Sequence, residues 1–301
     1  MATPEKSRFH NFYILNVKLR KKNSKNDSSA EDYVRLFKKV FKQKIHTESS
    51  PNKHCIFRFM FEEKEDKRVL YLSGTFAQFT FIHNERWFNL ASLDVDEEFK
   101  IPDGLFPDAK ITEFVFVPSA HRFCYRVSSD FNISPYPIKK FLEFALDQAS
   151  NENEFVQVDV ESDKSTLKEI FAARVIKKLL IDINYSNTDV GDDLQKFVED
   201  DIKASNTSRL KIEATQKPDV SIDIKESKIL TGAVESSVSN GETEAVIIDE
   251  NDRVKRIRTS NFPLKENIFG FKSRFNQLAY EKILKIFRPI RKKRNGKNKS
   301  N

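Results

Sequence analysis

Arg35, Lys38, Lys39 and Lys42 fall at i, i+3, i+4 and i+7 in the run EDYVRLFKKVFKQKIH. On a helix that spacing lines four cations along one stripe, with His46 continuing the row. A displayed cationic stripe suits one chemistry above others, the holding of phosphate oxygens. A second basic set lies in VKRIRTS, with Lys255, Arg256 and Arg258. Strand alternation would put Arg256 and Arg258 on one face, where paired arginines can follow a nucleic-acid backbone. A third closes the chain: Arg288, Arg291, Lys292, Lys293 and Arg294 stand in FRPIRKKRNGKNKSN, which holds no acid. Each set has a plainer reading, as a solvated helix face, an exposed strand face and a soluble tail.

The location of charge says more than its total. The 301 residues carry a net +7, yet residues 1–58 alone hold a surplus of nine cations and residues 288–301 a surplus of seven. The stretch between them is therefore near −9. Basic ends gathered by folding would form one positive platform for a phosphate-rich partner. The same polarity could instead serve pairing of the ends with the chain's own middle, or with a second copy.

Other chemistries find little footing. Cys55 and Cys124 sit singly in apolar runs, CIFRFMF and RFCYRV, as small buried residues would in a reducing compartment. His10, His46, His54, His83 and His121 are dispersed, without the ligand spacing of a zinc site. Seven glycines argue against a Gly-rich nucleotide loop, and no G-x-S-x-G appears. KPDVSIDIKESK echoes a restriction-type nuclease through Asp219, Glu226 and Lys228, but the spacing is short for two strands. Asp94 and Asp96 with Glu98-Phe99-Lys100 give a second echo of the kind that chance supplies in so charged a chain. No catalytic residue, metal or cofactor is assigned. With no long apolar run and no signal-peptide pattern, the expected location is cytoplasmic.

The elements that would position these residues can be read from periodicity. Twenty-seven Phe make a large aromatic core available. NFYILNVKL alternates as a strand, followed by a helix from about Ala30 to His46 with Ser28 or Ser29 as N-cap. CIFRFMFEE, RVLYLSGTFAQFTFI and RWFNLASLDV read as strands, and KITEFVFVPSAHRFCYRVS as a hairpin. SPYPIKKFLEFALDQAS is a helix with Pro137 in its first turn. After the polar joint SNENE come the strand FVQVDVES, the helix DKSTLKEIFAA and the strand RVIKKLLIDINYS. A helix near 190–204, the strand RLKIEATQ and a helix ending at Asn240-Gly241 follow. A hairpin turning at DEND and one long helix over KENIFGFKSRFNQLAYEKILKIF, with Phe271 and Phe275 inward, complete the pattern.

The order of NFYILNVKL, then EFVFVPSAHRFCYRVS before SPYPIKKFLEFAL, and much later ETEAVIIDENDRVKRIRTSNFPL before a terminal helix, resembles an uncharacterised bacterial domain-of-unknown-function family associated with phage defence. More remotely it is similar to RexA-type phage-exclusion proteins and to the DNA-binding component of Kiwa systems. The resemblance implies a dimer that binds DNA with little sequence preference, completed by a second defence protein, often a membrane one.

The expected fold is α+β: an antiparallel sheet with packed helices, a small α/β inserted domain and a long C-terminal helix. Residues 1–150 form the first domain, 151–224 the insertion, 225–287 a hairpin and terminal helix returning to the first domain, and 288–301 a basic tail. The expected function is nucleic-acid binding, DNA before RNA, in an anti-phage system, through the three basic sets. The alternatives are a metal-dependent nuclease or toxin-like effector, and a protein-interaction module.

Overall fold

The computed structural model describes residues 6–21, 28–82, 87–96, 101–184, 205 and 207–287. They form an α+β protein whose strand pairings are all antiparallel among the described residues. The chain divides into two compact units. The first holds residues up to Pro118, Arg122–Glu161 and Pro263–Asn276; the second holds Ser119–His121, Ser162–Phe262 and the residues from Gln277 onward.

The first unit opens with β1 (Arg8–Lys21) and α1 (Ala30–Lys42), then β2 (His46–Ser50), β3 (Lys53–Glu65) and β4 (Arg68–Thr80). A short hairpin, β5 (Trp87–Asn89) and β6 (Asp94–Asp96), precedes β7 (Lys110–Val117), β8 (Arg122–Val127) and α2 (Pro135–Ala149). β9 (Glu154–Val160) and β14 (Lys265–Gly270) complete an eight-stranded sheet in the order β14-β1-β8-β7-β4-β3-β2, with β9 also on β1. β14 takes residues 8–13 of β1 and β9 takes residues 15–21, end to end along the edge that β8 leaves open. Leu264 donates its amide to the Glu161 carbonyl at 2.7 Å, so the chain leaves this unit and re-enters it at adjacent points.

The aromatic richness of the sequence is spent in this unit. Phe37 of α1 stacks on Phe116 of β7 with centroids 4.2 Å apart, and Phe57 meets Phe114 at 4.9 Å and Phe141 of α2 at 5.3 Å. Tyr33, Leu36, Phe37 and Val40 of α1 are buried, at the i, i+3, i+4, i+7 spacing that makes one apolar face. A register shift between Phe57 and Phe59 bulges β3, and it brings the Phe59 carbonyl so near Gly74 that a Cβ there would lie 1.9 Å from it. Only glycine fits.

Within the first unit several boundaries differ from the sequence expectation; RWFNLASLDV, expected as one strand, folds back as the β5–β6 hairpin. α1 stops at Lys42 because the chain turns through Lys44 at φ 52°, and His46 opens an edge strand instead of extending the helix. KENIFG is strand, not helix: Ile268 is buried while Phe269 is exposed, a two-residue period, and the segment pairs backbone that β1 would otherwise leave open. The terminal helix therefore begins at Phe275, and Phe271, expected inward, is exposed.

The second unit contains α3 (Ser165–Phe171), β10 (Val175–Asn184), β11 (Arg209–Thr215), α4 (Lys228–Asn240), β12 (Gly241–Ile248) and β13 (Val254–Arg258). Its sheet runs β11-β10-β12-β13, with Leu179, Ile181, Ile183, Ala245 and Ile247 packed beneath Ala233, Val234 and Val238 of α4. The boundaries expected from sequence shift accordingly. β9 belongs to the first sheet, and the 241–258 hairpin pairs with β10 instead of returning to the first unit. The last helix, α5 (Phe275–Ile286), buries Phe275, Ala279 and Ile283 on one face. The helix expected near 190–204 lies outside the described residues.

Candidate anion-binding cleft on the first helix

α1 is fixed at its start by a capping box. The Asp32 amide donates to Ser29 Oγ at 3.3 Å, and the Ser29 amide donates to the Asp32 carboxylate at 2.9 Å. Ser28 has a separate task, donating its hydroxyl to the Leu19 carbonyl at 2.7 Å. Burial would raise the Asp32 carboxyl, but hydrogen bonds from Lys21 and Ser29 outweigh it and hold the group below the ordinary carboxylate range.

Along α1 runs a cleft of about 550 Å³, lined by Ala30, Glu31, Val34, Arg35, Lys38, Lys39, Lys42, Gln43, Lys67 and Val69. Every cation of the helix stripe reaches it, over an apolar floor of Ala30, Val34 and Val69. The four are not equivalent. Arg35 is paired with the carboxylate of Glu154, a side chain 3 % exposed. Lys38 donates to Glu62 at 2.5 Å, and Lys64 reaches the same carboxylate at 2.8 Å. Hydrogen bonds from Lys38 and then Lys64 hold Glu62 below its ordinary range, so that carboxylate is committed to its lysines. Lys39 and Lys42 form no ion pair among the described residues, nor does Lys67.

Lys67 also lines the cleft, and sequence reading missed it. It stands in the two-residue turn between β3 and β4, where Asp66 and Lys67 have φ 47° and 69°. Such turns need positive φ at both positions and favour Asn-Gly, so Asp-Lys leaves little signal. The register Glu65↔Arg68 closes the hairpin directly behind it.

The second basic set belongs to the second unit. Arg256 and Arg258 share a face of β13, with Ile257 buried on the other, as alternation required. Both engage one carboxylate: Arg256 meets Glu244 at 3.1 Å, and Arg258 pairs with the other oxygen. Lys255 meets Asp249 at 3.0 Å and Glu169 at 3.6 Å. This strand therefore carries a mixed-sign ladder in place of an open cationic face. Arg288, Arg291, Lys292, Lys293 and Arg294 lie outside the described residues, as do His83 and Glu98.

The nuclease echo is not assembled as a pair of strands. Asp219 sits in a turn at φ 60°, and Glu226 lies in the turn before α4, its amide donating to Asp223 at 3.2 Å. Among the described residues no group of three or more His, Cys, Asp or Glu could hold a metal ion. Cys55 and Cys124 are buried and free, with burial pushing the Cys55 thiol up to about 12 and the Cys124 thiol higher still, so both are inert packing residues. No helix among the described residues is long and apolar enough to cross a membrane.

A charged cluster in the first unit is sealed. Lys18 donates to Asp159 at 2.7 Å, and Arg122 approaches Glu161 at 2.8 Å and donates to Asn16 at 2.8 Å. The four charged side chains are at most 5 % exposed. Substrate has no access to them, and their evident work is to cross-link β1, β8 and β9. None of the curated proteins compared with the chain matches it. A family model described as Domain of unknown function (DUF4747) matches residues 8–287, and the chain belongs to that family.

Proposed function

We propose that the protein binds nucleic acid through the sugar–phosphate backbone, DNA before RNA, with little sequence preference. One observation carries the reading: Lys39, Lys42 and Lys67, all uncommitted, converge from two elements on one cleft. The chemistry of the three supports it. Lysine is a compact point charge on a flexible stem, suited to phosphate; bidentate base reading is the task of arginine, and the nearby Arg35 is already held by Glu154. The tail from Arg288 to Arg294 acts as an auxiliary clamp, and the strand cations Lys255, Arg256 and Arg258 contribute only by exchanging their carboxylates for phosphate. The setting proposed, bacterial anti-phage defence with a homodimer and a second defence protein, rests on the resemblance in element order alone.

The test is a salt titration of binding to labelled duplex DNA, single-stranded DNA and RNA. Three phosphate contacts predict a slope of about −2.7 in log affinity against log salt from the cleft. The triple variant Lys39→Glu, Lys42→Glu, Lys67→Glu should lose at least ~10-fold in affinity at 50 mM salt and flatten the slope by about that amount. A chain ending at Phe287 should bind more weakly but keep the cleft's contribution. Absent binding at low salt, or an unchanged slope in the triple variant, would sink the reading.

A further inference from the structure

The hairpin formed by β2 and β3 brings together two histidines that the sequence left apart. Its register pairs His46 with Ile56 and Glu48 with His54, so His46 and His54 are diagonal neighbours on one face. Thr47 and Cys55 are buried on the opposite face. The two Nδ1 atoms lie 3.1 Å apart. We propose that this pair is a chelating site for a zinc-class divalent ion, Zn²⁺ first, with Ni²⁺ and Cu²⁺ as chemical equivalents.

Two nitrogens bound to one tetrahedral zinc at 2.0–2.1 Å stand about 3.3 Å apart, so the observed separation is already close to a chelate bite. The rings are also held in place. His54 stacks on Phe81 at 4.4 Å, and His46 lies 5.6 Å from the same ring. Phe106 stacks on Phe79 at 5.1 Å and on Phe81 at 4.9 Å, backing the pair with a rigid aromatic layer. Rings fixed by packing lose little freedom when a ligand arrives. Two facing neutral imidazoles share one hydrogen bond at most, and two protonated ones repel; a metal ion satisfies both lone pairs.

The charged neighbours set the strength. Glu48, opposite His54, has its carboxylate engaged by Lys140 of α2 at 3.0 Å, and hydrogen bonding from that lysine holds the carboxyl below its ordinary range. Glu48 becomes a third ligand only by releasing Lys140, so the site is bidentate with water completing the shell. Binding should therefore be weaker than at a closed four-ligand structural site and confined to borderline metals that favour imidazole. Its physical effect is to tie the five-residue edge strand β2 to β3.

The experiment is calorimetric titration of the untagged full chain with ZnSO₄ and with NiCl₂ at pH 7.5, alongside thermal melts. One ion per chain and a raised Tm are expected. His46→Gln and His54→Gln should each weaken binding at least tenfold and abolish the rise in Tm that metal produces, each variant being compared with its own metal-free melt. The Lys39→Glu, Lys42→Glu variant should bind metal as before, which keeps this site separable from the cleft. No heat and no Tm change up to millimolar metal, or binding that survives the His46→Gln, His54→Gln double variant, would overturn the proposal.

Discussion

On the proposed reading, Lys67 serves nucleic-acid binding against the interest of the fold. A non-glycine side chain in the left-handed region costs roughly 1 kcal/mol, and the β3–β4 turn places both Asp66 and Lys67 there. Glycine at 67 would adopt φ 69° without that strain. Lys67→Gly should therefore raise stability by about 0.5–1 kcal/mol while lowering the salt slope of nucleic-acid binding by about 0.9. Thermal melts and a salt titration on the same preparation check the pair of effects. Opposite movement of the two readouts marks a cation kept for its charge; a joint fall would mean that Lys67 merely supports the hairpin. Nothing in GLU-ASP-LYS-ARG as a string announces this, since the strain becomes visible only with the backbone.

At the scale of elements, α1 is where the local code is most complete. Ser29 and Asp32 cap the start, Glu31 and Asp32 occupy the first turn, Lys39 and Lys42 the last, and a buried face runs between. Ser29→Ala should cost about 1 kcal/mol by taking away the hydroxyl that accepts from the Asp32 amide, measured by denaturant melts. It should also weaken binding slightly, because the helix start forms one end of the cleft through Ala30 and Glu31. That helix, α2, and the strands β3, β4, β7 and β8 were legible because their apolar spacing is unambiguous, whereas RWFNLASLDV, read as one strand, turns back on itself as the β5–β6 hairpin. KENIFG was not legible: Phe271 and Phe275 lie one helical turn apart, and only the unfilled edge of β1 decides for strand. The cleft was half legible. Its helical wall could be counted from spacing, while the pairing that removes Arg35 and Lys38 reaches Glu154, 119 residues away, and Glu62 on a different strand. No local pattern encodes such partners.

Taken as a whole molecule, the charge polarity of the sequence turns out to be largely self-directed in the first unit. Cations of the basic N-terminal stretch meet acids of the middle: Lys18 with Asp159, Arg35 with Glu154, Lys38 with Glu62. Lys39, Lys42 and Lys67 on the cleft stay outside these pairings among the described residues. Because so many carboxylates work inside the fold, stability must depend on pH, and the sign can be worked out group by group. Burial would raise Glu113, but the Arg126 guanidinium, 2.6 Å away, holds it below the ordinary range, as the lysines hold Glu62. Groups lowered in this way stabilise above the carboxylate range, and that contribution is lost as pH falls through their folded values. His10, lowered chiefly by burial, adds a loss that begins earlier, as pH drops below about 6.5. Glu143 has the opposite sign. Burial raises it against the opposing pull of Lys139, so its contribution is full below the ordinary carboxylate range and disappears as pH rises through its folded value. At neutral pH the Glu143 carboxyl is therefore a burden on the fold. Glutamine keeps an acceptor for the Val158 amide, which Glu143 Oε1 now takes at 3.0 Å, and removes the charge. Glu143→Gln should raise the Tm at pH 7 and change it little near pH 4, whereas His10→Gln should remove the loss that begins below about 6.5. Melts of the two variants from pH 4 to 8 test both signs at once, and an equal shift of Glu143→Gln at every pH would show that its carboxyl does not titrate with folding.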